Sequence, residues 1–211
     1  MAMIPSAKPG EDKNPLETRR LLLEAAAREI HMHGFQAASL SRILSETGVT
    51  KGALYYHFPS KLDLGYAVVD EYFGPTLHHA WIDPLQQPDT DPVQALIEVI
   101  RKTGNRMTIA ELSLGCPVNN LALEMSPVDA GFRERLEQLL DEWRAAIAAA
   151  LERGRDFGSV SPAVDVNSVA AFIVASLEGC VGMAKNAQSR KLLVACGKGL
   201  IDYLQSLRSR G

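Results

Sequence analysis

The sequence predicts an all-α fold, in which a small N-terminal helical unit is followed by a larger helical domain. Two observations support this prediction. Apolar residues recur at helical spacing through most of the 211 residues, and no stretch shows the strict alternation of a half-buried strand. Ser and Thr residues also stand where helix caps are needed, directly before several of these apolar stretches.

Composition indicates a folded, soluble protein. Hydrophobic residues make up 46% of the chain, which is long enough to bury a sizeable core. No run approaches the roughly 18 to 20 apolar residues of a membrane span, and the opening lacks the apolar centre of a secretory signal. We therefore expect a cytoplasmic protein without a membrane partner, and a disordered tail over residues 1–15. The three cysteines are too scattered for a disulfide framework or a metal site, so reduced thiols and no cofactor are expected.

The first helix is predicted after Pro15. Leu22, Ala25, Ala26 and Ile30 recur at helical spacing, and Gly34 is typical of a helix end.

A short second helix follows, over the sequence LSRILSET. Ser39 can cap it, Leu40, Ile43 and Leu44 form its inner face, and Gly48 supplies the turn that follows.

The third helix covers Lys51–Phe58 and is capped by Thr50. Placing each residue about 100° on from the last puts Leu54 and Phe58 on one face. The opposite face holds Gly52, Ala53, Tyr56 and His57, with Lys51 and Tyr55 at its flanks. A glycine turn between two short helices can place the second in a DNA major groove, where small residues allow close approach and polar side chains reach phosphates.

A fourth helix is predicted to begin after Ser60, which can cap it with Asp63 three positions later. Lys61 then lies in the first turn, where the helix dipole also favours phosphate. Charge agrees with this placement. Residues 1–61 carry eight Lys and Arg against six Asp and Glu, a net charge of +2, whereas the remaining residues carry −5. A slightly basic N-terminal segment in an otherwise acidic chain is compatible with a module that binds a polyanion.

The segment from Thr18 to about Tyr72 resembles the DNA-binding domain of TetR-family transcriptional regulators, including the elements GVTKGALYYHF and SK. This resemblance implies a helix-turn-helix DNA-binding domain over residues 16–62 and an effector-binding and dimerisation domain over 63–211. It also implies a homodimer that binds a palindromic operator on double-stranded DNA and responds to a small-molecule effector. One position departs from the family pattern, because Glu29 stands where an apolar residue usually precedes Ile30.

The resemblance also assigns site residues by position. The residues implied to face DNA are Thr50, Lys51, Gly52, Ala53, Tyr55, Tyr56, His57 and Lys61. The residues implied to flank the DNA backbone are Ser39, Ser41 and Arg42.

The second half of the chain has its own helical organisation. Residues 81–92 are rich in proline and aspartate and predict a loop, followed by an amphipathic helix over 93–108. A long helix is expected to begin at Ser126 as its cap, with Pro127 in first position, and to end near Gly154. Two further helices are predicted over Val164–Lys185 and Ser189–Leu207.

The first of these last two helices is apolar nearly all round, which indicates burial on more than one side. A central core helix in a monomer would satisfy this pattern. We favour a dimer interface instead, because the TetR resemblance implies that the last two helices pair with those of a second copy. Leu177, in the apolar segment, is expected to contribute to that interface.

The stretch SLGCPVNNLALE is similar to the matching region of TetR-like repressors that sense electrophiles, such as the repressor of N-ethylmaleimide reductase. The similarity implies Cys116 as a possible sensor and Lys185 as a residue that can join it. A sensor thiol needs a lowered pKa, which a nearby lysine or a helix N-terminus can provide. The alternative is a structural cysteine that fills a small space.

Enzymatic function finds little support in the sequence. Phosphate-binding loops, the nucleophile elbow and the metalloprotease motif are absent. The alternative to a regulator is a helical cysteine-dependent enzyme that uses Cys116 with His78 or His79, although no local signature favours it. Adjacent histidines on a helix point about 100° apart, so these two are not expected to share a metal. The sequence therefore predicts a transcriptional repressor released from its operator by a small-molecule inducer or by thiol modification.

Overall fold

The computed structural model describes residues 14–87 and 90–209, and within these ranges the chain is helical without any extended strand. The all-α prediction is therefore confirmed. The predicted tail lies outside the described residues except for its last two positions, where Asn14 caps the first helix and Pro15 begins it. The α-helices of the described ranges are α1 Pro15–His33, α2 Leu40–Thr47, α3 Lys51–His57, α4 Lys61–Val68, α5 Gly74–Leu77, α6 Pro92–Arg106, α7 Ile109–Leu114, α8 Pro117–Met125, α9 Ala130–Asp156, α10 Val166–Ala187 and α11 Arg190–Ser206.

The first three helices begin and end within one residue of their predicted limits, and α4 begins where the sequence predicts. Ser39, Thr50 and Ser60 cap α2, α3 and α4, each accepting a hydrogen bond from a backbone N–H three residues later. Gly48 ends α2 in the left-handed conformation, with φ of 66°. That conformation is costly for other L-residues, so the turn between α2 and α3 depends on this glycine.

A nearly continuous helical run links the N-terminal unit to the rest of the chain. After α4, the run contains two π-helical segments, Val69–Phe73 and His78–Ile82, on either side of α5. A 3₁₀ turn over Asp83–Gln86 ends it. The loop predicted over residues 81–92 is therefore wrong for residues 81–86, which are helical. Pro84 lies in the first turn of the 3₁₀ helix, where a backbone N–H has no partner within the helix, so its absence costs nothing.

The start of α9 differs from the prediction. Asp129, rather than Ser126, caps this helix through a hydrogen bond of 2.8 Å from the Phe132 N–H. Residues 126–128 form a turn after α8, which the sequence reading did not separate from α9. The two following helices, α10 and α11, begin and end within two residues of their predicted limits.

One hydrophobic core runs through both parts of the described chain. It joins Leu22, Leu54 and Phe58 of the N-terminal helices to Phe132 and Trp143 of α9 and continues into α10 and α11.

Helix α10 is long and apolar enough to cross a membrane by length and composition alone, but here it packs against α9 and α11. Leu177 belongs to the main core and is 8% exposed. Its side chain is thus buried within the single chain, and its contribution to a dimer interface stays a prediction.

Candidate functional site

Helix α3 divides into a packed face and an open face, as the helical wheel predicts. Leu54 and Phe58 are fully buried against the core, and the Arg19 guanidinium lies 4.5 Å from the centre of the Phe58 ring. On the other side Tyr56 is 78% exposed and Tyr55 is 41% exposed. Burial of two large side chains fixes the orientation of a helix of only seven residues, and its other side chains remain available.

The open face combines cations, rings and a small residue. Lys51 Nζ lies 5.8 Å from the centre of the Tyr55 ring, and the Tyr56 and His57 rings meet edge to face at 5.1 Å. A Cβ added to Gly52 would meet only the Thr50 Oγ1, at 4.0 Å. Among residues 14–87 and 90–209, no contact therefore requires a glycine at position 52. A close approach by an external partner would require one.

Among the residues implied to flank the DNA backbone, Arg42 already has partners within the protein. Its Nε donates to the Glu29 carboxylate at 2.8 Å, and a terminal nitrogen donates to the Ala37 carbonyl at 3.0 Å. Glu29 also accepts the Ser39 N–H at 2.8 Å, and the Arg42 hydrogen bond holds the pKa of the Glu29 carboxyl below its usual value. The polar residue in the apolar pattern of α1 thus ties α1 to the start of α2.

The remaining predicted residues lie in different environments. Ser41 is exposed, and the Thr50 hydroxyl accepts the Ala53 N–H at 3.2 Å. The Lys61 ammonium donates to the Gln36 carbonyl at 3.0 Å and lies 5.0 Å from the centre of the Phe35 ring. Lys61 is thus held in place before any partner binds.

The junction between the N-terminal unit and the larger domain contains polar contacts that the sequence reading missed. Glu124, near the end of α8, accepts the backbone N–H groups of Phe35 and Gln36 at 2.8 Å each. Nearby, the His31 Nε2 is 2.9 Å from the Gly115 carbonyl oxygen. A carbonyl only accepts, so the nitrogen must carry the proton. Both contacts span more than 80 residues of sequence, so no local pattern indicates them.

Close packing completes this junction. A Cβ on Gly65 would lie 2.4 Å from the Phe35 ring and 2.7 Å from the Phe132 ring. Tyr66 donates its hydroxyl proton to the Asp129 carboxylate at 2.7 Å, and this hydrogen bond raises the pKa of the tyrosine. The carboxylate that caps α9 therefore also holds α4.

A groove of about 840 Å³ lies between the run Val69–Asp83 and α9. Its walls carry an ion pair from Arg135 Nε to Asp70 at 3.0 Å and a hydrogen bond between His78 Nε2 and Glu142 at 2.7 Å. Both π-helical segments contribute residues to it. π-Helical turns within helices frequently occur at functional sites. The lining residues are Val69, Asp70, Gly74, Pro75, His78, Asp83, Glu134, Arg135, Gln138, Leu139 and Glu142.

Cys116 lies directly before α8, and the pKa of its thiol is shifted in the opposite direction from that of a sensor thiol. Burial, followed by the negative charge of Glu178, raises the pKa of Cys116 to about 12. Lys185 instead donates to the Asn120 side chain at 3.0 Å and packs over Gly115. The expectation of a lowered pKa is therefore wrong, because the acidic neighbour and the buried position outweigh the helix N-terminus.

The residues expected of a cysteine-dependent enzyme, Cys116 and His78, have different partners in the structure. The charged neighbour that shifts the pKa of Cys116 is Glu178, while His78 hydrogen-bonds to Glu142. In the part of the chain that the structure describes, no group of three or more His, Cys, Asp or Glu side chains could hold a metal ion.

One face of the α10 and α11 pair lies open in the single chain. Phe172 and Tyr203 meet edge to face at 4.9 Å across the two helices, and Phe172 is 51% exposed. Met183, about three turns from Phe172 on the same side of α10, is also largely exposed. Exposed large apolar side chains on two packed helices are typical of a protein interface.

Comparison with protein families matches two parts of the chain. Residues 22–68 match the family described as bacterial regulatory proteins, tetR family. Residues 92–199 match the family described as transcriptional regulator LmrA/YxaF-like, C-terminal domain. The two matches cover the N-terminal helices and most of the larger domain.

Individual relatives extend over most of the chain. An HTH-type transcriptional regulator in the lacX 3′ region of Lactococcus lactis subsp. lactis is 30% identical over 181 residues, covering 85% of this chain and 89% of the relative. A TetR transcriptional regulator from Chloroflexus aurantiacus J-10-FL, of known crystal structure, is 29% identical, with a TM-score of 0.81 and coverage of 92% and 97%.

The reduced form of Escherichia coli NemR superimposes with a TM-score of 0.81 at 22% identity, covering 92% of this chain and 98% of NemR. At this identity the likeness shows a shared fold and carries no information about the thiol.

Proposed function

Because the chain belongs to the TetR family of DNA-binding transcriptional regulators, we propose that it is a homodimeric repressor that binds a palindromic operator and releases it when a small molecule binds. The family consists of soluble transcriptional regulators rather than enzymes, which implies the cytoplasm. We assign residues 16–62 to the DNA-binding domain and residues 63–211 to the effector-binding and dimerisation domain.

The observation that carries this proposal is the two-faced helix α3. Its packed face is fixed by Leu54 and Phe58, and its open face presents aromatic and basic side chains around a glycine that the protein itself does not need. We propose that α3 enters the major groove. Its open side chains and Lys61 then contact bases and phosphates, and Ser39 and Ser41 approach the DNA backbone. Arg42 contributes indirectly, by holding α2 to α1 through Glu29.

We place the dimer interface on the open face of α10 and α11, around Phe172 and Met183. A twofold dimer presents two copies of α3, and a palindromic operator offers half-sites about 34 Å apart. An effector that changes the separation of the two α3 helices by a few ångströms misaligns one of them.

We place the effector in the groove between the run Val69–Asp83 and α9. Its volume suits a small organic molecule, and its walls belong to the helical run that begins in the DNA-binding domain. Carboxylates outnumber cationic side chains along the groove, which favours an effector that carries positive charge. The high pKa of Cys116 supports a packing role for this residue rather than the predicted sensor role, for which Lys185 was the implied partner.

The decisive experiment is operator binding measured by fluorescence anisotropy, with the DNA upstream of the gene as probe, over a series of salt concentrations. The protein should bind with strong salt dependence and one dimer per site. Tyr56→Ala should weaken binding about tenfold and leave the melting temperature unchanged, because the side chain is exposed. Lys61→Ala should weaken binding to all sequences alike and lower the salt slope by about 1.

Two controls keep the test specific. Lys102→Ala removes an exposed cation on α6, away from α3, and should leave the affinity and the salt slope unchanged. Sedimentation of Met183→Arg should give a folded monomer. Absence of a salt-sensitive complex with any upstream fragment would overturn the proposal, as would a Tyr56→Ala variant that binds normally.

A further inference from the structure

The helices α10 and α11 form an antiparallel hairpin that brings two cysteines to the same level. The turn between the helices is centred on Gln188, with Ser189 N–H bonded to the Ala184 carbonyl at 3.0 Å. Cys180 lies eight residues before Gln188, and Cys196 lies eight residues after it. At about 1.5 Å per residue, both are about 12 Å from the turn.

Packing places these cysteines on the facing sides of the two helices. Ala184 and Leu193 belong to one buried cluster, and Cys180 packs against the same cluster. Ala184 lies four residues after Cys180 on α10, and Leu193 lies three residues before Cys196 on α11. Residues three or four apart share one face of a helix. The face of α10 that carries Cys180 therefore meets the face of α11 that carries Cys196.

The distance between packed helices suits a disulfide. Helix axes pack about 8 to 10 Å apart, and each Cα lies about 2.3 Å from its axis. Cα atoms on directly facing sides are therefore separated by about 3.4 to 5.4 Å, which overlaps the range of about 4.4 to 6.8 Å found for disulfides. Both cysteines are half-buried free thiols. Burial, followed by contact with the Cys196 thiol, raises the pKa of Cys180 to about 12.

We infer that Cys180 and Cys196 form an intramolecular disulfide when the protein meets a peroxide, and that this bond lowers operator affinity. In the first step the Cys196 sulfur attacks the peroxide and the O–O bond breaks, giving a sulfenic acid and water. The Cys180 sulfur then displaces the hydroxyl of the sulfenic acid, and a second water leaves. Two thiols are oxidised to one disulfide, and one hydrogen peroxide is reduced to two waters. The thiolate is the nucleophile in both steps, so the raised pKa of Cys180 slows its attack, and we assign it the second step, in which its target already lies beside it on α11.

Cys180 lies on α10, and this helix contacts the segment that joins the larger domain to the DNA-binding domain. Glu178, two residues before Cys180, contacts Cys116, and Lys185 on the same helix donates to Asn120. Both contacts reach the segment that holds α1 through the Gly115 carbonyl and the Glu124 carboxylate. A bond that pulls α10 against α11 therefore acts on the junction as well as on the proposed dimer face. This second part of the inference rests on the proposed function.

Peptide mapping tests the bond itself. The full-length protein is treated with hydrogen peroxide, its remaining thiols are blocked with iodoacetamide, and it is digested with trypsin without reduction. Cleavage after Lys185, Arg190 and Lys191 separates peptides 156–185 and 192–198, which stay together only through the disulfide. We expect this linked pair, with Cys116 recovered as the alkylated thiol. Recovery of three alkylated cysteines, a bond that includes Cys116, or a linked dimer on a non-reducing gel would overturn the inference.

Operator binding tests the consequence. Peroxide should weaken binding about tenfold in the parent protein and in Cys116→Ser, and a dithiol reductant should restore it. Cys196→Ser and Cys180→Ser should bind equally before and after peroxide. Unchanged binding by protein that is fully linked would overturn the regulatory role. If the reduced protein binds no upstream DNA, the proposed function fails, and the peptide map alone then decides whether the disulfide exists.

Discussion

The surface of α3 and the junction between α1 and α8 use glycine and polar groups in opposite ways. Gly52 faces open space, whereas a side chain on Gly65 would collide with two aromatic rings. Exposed polar side chains cover α3, while the junction directs His31 and Glu124 inward to backbone groups of the other domain. We attribute the difference to our proposal that α3 contacts a partner outside the chain, whereas contacts within the chain shape the junction. Substitutions at equivalent residue types should therefore have opposite consequences.

The largest expected effect comes from Gly65→Ala. The new methyl group would be 2.4 Å from Phe35 and 2.7 Å from Phe132, and both rings are buried. Overpacking of this kind costs about 1 to 3 kcal/mol, so the melting temperature should fall by several degrees in differential scanning calorimetry. Gly104→Ala is the matched control, since nothing lies within 4 Å of its added Cβ. A stable Gly65→Ala protein would show that the junction is loosely packed.

Glu124→Ala should have the next largest effect. It removes the acceptor of two backbone N–H groups, which is expected to lower the free energy of unfolding by about 2 kcal/mol in urea denaturation. Glu124→Gln keeps one carbonyl acceptor and should recover roughly half of the loss. An alanine variant as stable as the parent would mean that the two hydrogen bonds do not stabilise the folded protein.

Gly52→Ala should separate folding from binding. Alanine is a better helix former than glycine, so the variant should be up to about 1 kcal/mol more stable in urea. Operator affinity should fall about tenfold, because the methyl group occupies the space between α3 and the DNA. Loss of stability would indicate a contact within the protein at this position, and unchanged affinity would remove Gly52 from the interface.

The smallest effect is a pH dependence of the junction. Burial lowers the pKa of His31, with a further contribution from the nearby positive charge of Lys185, while the Gly115 contact and Glu111 oppose the shift. The folded protein thus favours the neutral ring, and this stabilisation is complete above the ordinary histidine pKa of about 6.5 and declines as pH falls below it. His31→Gln keeps a donor for the Gly115 carbonyl but does not titrate. Melting temperatures of the two proteins should diverge between pH 6.5 and 5, with the parent falling faster.

Local patterns were sufficient for the fold and for the orientation of α3. The caps Ser39, Thr50 and Ser60 satisfy N–H groups within three residues, and burial of Leu54 and Phe58 follows from helical spacing alone. Helices α2 and α3 and the turn between them can therefore be predicted from the sequence without knowledge of any tertiary contact.

The errors arose where partners are distant in sequence. Asp129, rather than Ser126, is the cap, and it also accepts the hydroxyl of Tyr66, which lies 63 residues earlier on α4. Arg42 pairs with Glu29 across a turn, and Cys116 meets Glu178 from α10. Leu177 and the exposed Phe172 lie in the same apolar stretch, and only the packing of α10 separates core from surface.

The Glu124 contact has a consequence for amide hydrogen exchange. The N–H groups of Phe35 and Gln36 belong to the DNA-binding domain, yet the group that shields them comes from α8. Their exchange with deuterated solvent therefore requires release of the Glu124 carboxylate at the junction, without unfolding of either domain. Exchange at these two amides would report the opening frequency of the junction in the absence of both DNA and effector.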